Sequence, residues 1–230
     1  MLPEELDALK AKLIEHMRAE NLRTVGKTFA RNHYIDEANF IVKLFKVDRQ
    51  PKLEFPLLFL DFESTGLLDN AKPIQLGYVV VGKDWSKSKP DGFYIDCLDD
   101  RDAMVPEYWL AQNVHHKTMR QVIKEGISPA EAVERLAPLP KLFPGILLAG
   151  QNVAFDKRML DKLYQMVGQK NPYDYHCLDL TGLSIVHLGK KSLKETMEAL
   201  GLDEKKYTKH DALGDANATA DAFVELMRRL

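Results

Sequence analysis

Cysteine is scarce, with Cys97 and Cys177 the only two in 230 residues. Two isolated cysteines build neither a disulfide framework nor a Cys-based zinc site, and they fit a chain of the reducing cytoplasm. Both read as core fillers. Long apolar runs are also missing. Nothing approaches the roughly 20 residues of a membrane span, and the opening MLPEELDALK is too acidic and polar for a signal peptide. Nor does either sign of charge dominate. A net charge of -2 gives no overall basic footprint, although a local basic groove can coexist with an acidic cluster. What remains is the balance of an ordinary soluble globular protein, 45% hydrophobic and 29% charged. Its length suits one sizeable domain, or one domain with a small appendage.

The chain is organised around PLLFLDFESTGL at residues 56–67. Leu57, Leu58, Phe59 and Leu60 form an apolar run of strand length, which predicts a central strand covered on both faces. Side chains alternate along a strand, so Asp61 and Glu63 project from one face, side by side. Two such carboxylates repel each other and lose hydration unless a cation sits between them. Taken alone, the pair is better explained by an acidic strand end running into solvent.

Before this stretch, residues 3–20 predict a helix: Pro3 suits its first turn, and Leu6, Leu9, Leu13 and Met17 form its stripe. Residues 22–50 interleave Arg23, Lys27, Arg31, Lys43, Lys46 and Arg49 with Phe29, Tyr34, Phe40 and Phe45. The composition suits a nucleic-acid surface, but a helical segment with solvated lysines is the favoured reading. After it, strands are predicted at 73–81 and 92–98, joined closely enough to form an antiparallel meander with the first. Helical segments follow near Pro106–Gln112 and Pro129–Leu136. Between them, His115 and His116 are neighbours poorly placed to share one ion, and read as loop residues. A buried strand at 145–150 leads into a helix at 153–168 with Leu160, Leu163, Met166 and Val167 as its apolar face. Asp156 lies in that helix's first turn, where the helix dipole alone accounts for a carboxylate. A short strand at 175–180 precedes a helix at 192–200, opened by Ser192 and Glu195 as a capping box. The last helix starts near Asp211, with Ala212, Ala216, Ala220, Phe223 and Met227 at helical spacing. Asp215 falls in its first turns, and His210 lies just before it.

Three motifs therefore stand in order: LDFESTGL, GQNVAFD and HDALGDA. On this layout they resemble the DEDDh branch of the ribonuclease-H-like 3′–5′ exonucleases, the superfamily of proofreading exonucleases, ribonuclease T and oligoribonuclease. The resemblance covers residues 56–230. It implies an α/β three-layer fold, a five-stranded mixed sheet flanked by helices; residues 1–55 lie outside it and read as an N-terminal, mainly helical extension. By position it implies that Asp61, Glu63, Asp156 and Asp215 are metal-binding carboxylates and that His210 is the general base. Ser64, Thr65, Gly66, Leu67, Asn152 and Phe155 become candidate substrate contacts. Gln151 and Gln75 depart from the pattern, standing where many members carry His and Glu. Two divalent ions, Mg²⁺ or Mn²⁺, suit an all-oxygen donor set. The implied reaction removes nucleoside 5′-monophosphates from single-stranded DNA or RNA 3′ ends, DNA slightly ahead. The alternatives are an RNA-trimming exoribonuclease and a non-catalytic nucleic-acid or polymerase-binding module.

Overall fold

A computed structural model of the chain describes residues 53–99, 101–104 and 106–230. The expected helix at 3–20 and the basic, aromatic segment at 22–50 lie outside them. Five strands form one sheet: β1 (Leu57–Ser64), β2 (Pro73–Val81), β3 (Asp91–Tyr94), β4 (Leu147–Gly150) and β5 (Cys177–Asp179). Their order is β3-β2-β1-β4-β5. The first three strands pair antiparallel, as the short connections predict, whereas β4 and β5 join parallel to β1 and β4 respectively.

Among the described residues, eight α-helices follow the meander or alternate with the later strands: α1 (Pro106–His115), α2 (Met119–Glu125), α3 (Pro129–Leu136), α4 (Leu139–Leu142), α5 (Val153–Met166), α6 (Leu180–Leu188), α7 (Leu193–Ala199) and α8 (Ala212–Arg229). The apolar run of β1 is explained by two cores. Leu58, Leu60 and Phe62 pack on one side with Val133, Leu136, Met159, Leu160 and Leu163 of α3 and α5. Leu57 and Phe59 pack on the other side with Met197, Ala218, Ala222 and Phe223 of α7 and α8. Helices thus cover both faces of the central strand. Cys97 and Cys177 are free thiols packed against the first core, as expected of fillers.

Several boundaries differ from those the sequence suggests. β3 ends at Tyr94 because the backbone then changes partner: Ile95 N–H still bonds Ile74 of β2, but Asp96 N–H bonds Ile127, whose own N–H bonds the Tyr94 carbonyl. β4 starts at Leu147, after Gly145 turns the chain at φ 78°. β5 starts at Cys177 because Asp174 holds the preceding turn through the His176 N–H. Met166 is exposed, and the buried face of α5 is made instead by Val153, Met159, Leu160, Leu163 and Tyr164. His115 is no loop residue. It closes α1 and is buried, while His116 takes the turn at φ 57°. The capping box of Ser192 and Glu195 forms as expected.

The alanine face of α8 lets that helix lie close against the sheet, with Ala212, Ala216 and Ala220 fully buried. Gly77 of β2, paired with Asp61 on the neighbouring strand, sits directly under the start of α8. A Cβ there would collide with the backbone of Ala212 and Leu213. No helix among the described residues is long and apolar enough to cross a membrane.

Candidate functional site

The alternation of β1 sends Phe62 into the core and leaves Asp61 and Glu63 on the opposite face, both half-buried. Asp215 reaches them from the first turn of α8. One ligand oxygen from each of the three lies within 4.8 Å of the others. The strand register breaks after Glu63, a bulge that ends the regular ladder just past the second carboxylate.

Asp156 enters from the third direction, in the first turn of α5. It is buried, and its Oδ1 accepts the Phe62 backbone N–H at 2.8 Å. The β1–β4 ladder has ended by Phe59, so this carboxylate takes a strand donor that β4 no longer reaches. Asp156 is outside the three-residue oxygen cluster, yet its charge is the strongest one acting on Asp61.

Electrostatics marks the cluster as short of positive charge. Burial, then Asp156, Asp215 and Glu63, push the Asp61 carboxyl well above the usual range. Burial and then Asp215 carry Glu63 up to about 7. Asp215 is raised by burial, though the nearby His210 ring and backbone N–H pull against it. Burial also raises Asp156, opposed by the Phe62 N–H. Crowded hard oxygen donors with no thiolate among them fit a divalent cation such as Mg²⁺ or Mn²⁺, which would offset this repulsion.

His210 occupies the turn before α8 with a left-handed backbone, φ 53°. Because it is not helical, the five-residue offset from Asp215 does not turn it away. Both residues line a cleft of about 360 Å³ together with Asp61, Gln151, Tyr207 and Lys209. Gly214, within the third motif, permits this turn, since a Cβ there would strike the Thr208 carbonyl oxygen.

The remaining predicted residues divide by what their side chains already do. The Ser64 hydroxyl donates to the Gly66 carbonyl at 2.6 Å, and the Thr65 hydroxyl accepts the Lys72 N–H at 2.9 Å. These hydroxyls build the loop after β1. Gly66 is buried within it, whereas the apolar side chain of Leu67 is 76% exposed. The Leu67 carbonyl is held by Arg158 of α5 at 2.9 Å. Asn152 is exposed and left-handed at φ 59°, a conformation asparagine tolerates. Phe155 packs partly on the core under the Arg158 guanidinium, 5.4 Å from its ring centroid.

Four organising residues were not singled out as site residues by sequence reasoning. Asp179 accepts the N–H groups of Asn152, Val153 and Thr181, so it sets the start of α5 as well as capping α6. Its position as an Asp two residues before Thr181 is a helix-start signal that could have been read. Lys117, Gln75 and Asp211 form a second group. Asp211 Oδ1 accepts from Lys117 Nζ and from Gln75 Nε2, each at 2.8 Å. Burial opposes the charge on Asp211, but the Lys117 and Gln75 hydrogen bonds hold its carboxyl below the usual range.

A family model described as Exonuclease (RNase_T) matches residues 58–223. No curated protein matches the chain in sequence. Among solved structures it is similar to E. coli Exonuclease I in complex with a dT13 oligonucleotide, with TM-score 0.62 and 19% identity over 74% of this chain and 40% of that one. The zinc-bound E. coli Exonuclease I–ssDNA complex gives TM-score 0.65 and 18% identity over 77% and 41%. A moderately thermophilic Exonuclease I from Methylocaldum szegediense gives 0.61 and 20% over 76% and 40%. At these identities the likeness is one of fold, and the chain spans about two-fifths of the length of those proteins.

Proposed function

The chain belongs to the exonuclease family, and from that premise we propose that it is a metal-dependent 3′–5′ exonuclease acting on single-stranded ends. The observation that carries the reading is the oxygen cluster of Asp61, Glu63 and Asp215, of which Asp61 and Asp215 line one cleft with His210. Asp61, Glu63 and Asp215 would hold divalent ions, with Asp156 contributing the oxygen that Phe62 does not engage. When bound, two such ions supply Lewis acidity and charge neutralisation for an in-line displacement at phosphorus.

The protein's own groups perform the rest. His210 accepts a proton from the attacking water at an imidazole nitrogen, acting as a general base. Leu67 packs against the terminal base, while the loop of Ser64, Thr65 and Gly66 brings backbone close to the terminal nucleotide. Asn152 and Phe155 shape the pocket's other wall. Lys194 and Lys209 line the cleft and favour an anionic strand entering it. The products are nucleoside 5′-monophosphates. That E. coli Exonuclease I was solved in complex with dT13 supports single-stranded DNA ahead of RNA as the substrate. Two free cysteines without a disulfide support a cytoplasmic setting.

The test is a time course on matched 5′-labelled single-stranded DNA and RNA oligomers with Mg²⁺, Mn²⁺ or EDTA. A metal-dependent ladder shortening from the 3′ end supports the reading, and the faster oligomer assigns the substrate class. Tight end-binding without a ladder in either metal overturns it in favour of a binding module.

A further inference from the structure

Lys117 stands beside the carboxylate cluster without belonging to it. It follows the turn that ends α1, and its side chain is only 12% exposed. Its ammonium pairs with Asp211 Oδ1 at 2.8 Å and lies 5.8 Å from the Tyr94 ring centroid. So enclosed a cation is poorly placed to meet a phosphate arriving from solvent. Its partner Asp211 is engaged on every side. Gln75 of β2 donates to the same oxygen, the second oxygen accepts the Gly214 N–H at 3.3 Å, and Gln75 Oε1 accepts the adjoining Ala212 N–H at 3.3 Å. The lysine thereby ties the end of α1 to the cap of α8, which Gln75 ties to β2. The residue immediately before this fixed point is His210, in its left-handed turn.

We propose that Lys117 is a positioning residue for His210: by anchoring Asp211 it sets where the imidazole stands over the cleft. The inference rests on the exonuclease reading and deepens it. A low-dielectric ion pair with one partner removed leaves an uncompensated charge, so Asp211 without Lys117 shifts toward water and takes the turn with it. The effect belongs to the proton-transfer step. Substrate affinity, which the loop after β1 and the cleft lysines govern, is unaffected.

The experiment is steady-state kinetics of the full chain on a 5′-labelled dT oligomer with Mg²⁺. It compares the wild type, Lys117→Met, His210→Ala and the double variant, each checked by thermal unfolding. Lys117→Met is expected to lower kcat about 10- to 100-fold, the scale of a misplacement of about 1 Å, with KM within about twofold. In the His210→Ala background the same substitution should leave the residual rate unchanged, because its effect passes through the histidine. Asp211→Asn breaks the same pair from the other side while retaining a capping side chain. It carries the same cycle should Lys117→Met unfold. Multiplicative losses in the double variant, an unchanged kcat, or a raised KM at constant kcat each overturn the inference while leaving the exonuclease reading intact. A wild type inert on the oligomer overturns that reading, and this inference with it.

Discussion

The Asp156 carboxylate accepts the backbone N–H of Phe62, a residue 94 positions earlier in the chain, at 2.8 Å. Phe62 sits between Asp61 and Glu63, so this single bond registers α5 against the strand that carries the other two acids. The acid is therefore both a candidate ligand and a structural clamp.

The two roles separate by substitution. Asp156→Asn keeps an oxygen for Phe62 and should leave the unfolding midpoint nearly unchanged, while activity falls about 100-fold or more through loss of a charged oxygen donor. Asp156→Ala removes both, and the orphaned N–H should cost a further ~1–3 kcal/mol of stability. Paired denaturation curves and rate assays read the difference.

Stability without metal should fall as pH rises. The Glu63 carboxyl is raised from its ordinary 4.5 to about 7, by burial first and then by Asp215. Asp61 and Asp215 are raised in the same sense. A folded state that holds these protons more tightly binds more of them than the unfolded chain across that interval. Their contribution is complete below the ordinary value and is lost as pH climbs through the raised one. Thermal unfolding in EDTA should therefore give a lower midpoint at about pH 8 than at about pH 5, and Mg²⁺ should reverse the loss at the higher pH.

Asp61→Asn should stabilise the metal-free protein near neutral pH, since it removes the most crowded acid of the cluster. Each kcal/mol of repulsion relieved raises the midpoint by about 2–4 °C. The same variant should lose activity about 100-fold or more, through the missing oxygen charge. A scan in EDTA beside a Mg²⁺ rate assay checks both signs.

His210→Ala should lower kcat by about 10²- to 10⁴-fold, the range of a general base. The Mg²⁺ concentration for half-activation should stay put, because the histidine is assigned a proton and not an ion. A metal titration of both proteins separates these effects.

What could be read from the sequence follows from how local each cause is. The central strand, the bounds of β2, the capping box and the start of α8 each leave a pattern within a few residues. Helix α2 spans only seven residues and α6 is apolar around most of its surface, so neither gives a clear helical period. The three motifs mark the acids, but the bond from Asp156 to Phe62 and the pair of Lys117 with Asp211 each join residues 94 apart. No local pattern encodes such pairings. His115 illustrates the same limit: its neighbours look polar, while its burial comes from chain segments far away in sequence.

Gly77 carries no functional group, yet it sets how closely α8 approaches the sheet, opposite Asp61. It acts as a spacer of zero thickness. Adding one methyl group there would lift the start of the helix, and with it the turn of His210 and the carboxylate of Asp215. A survey of all substitutions scored by nuclease activity should consequently rank Gly77 alongside the acids. Part of this site is an interval held open by the lack of an atom.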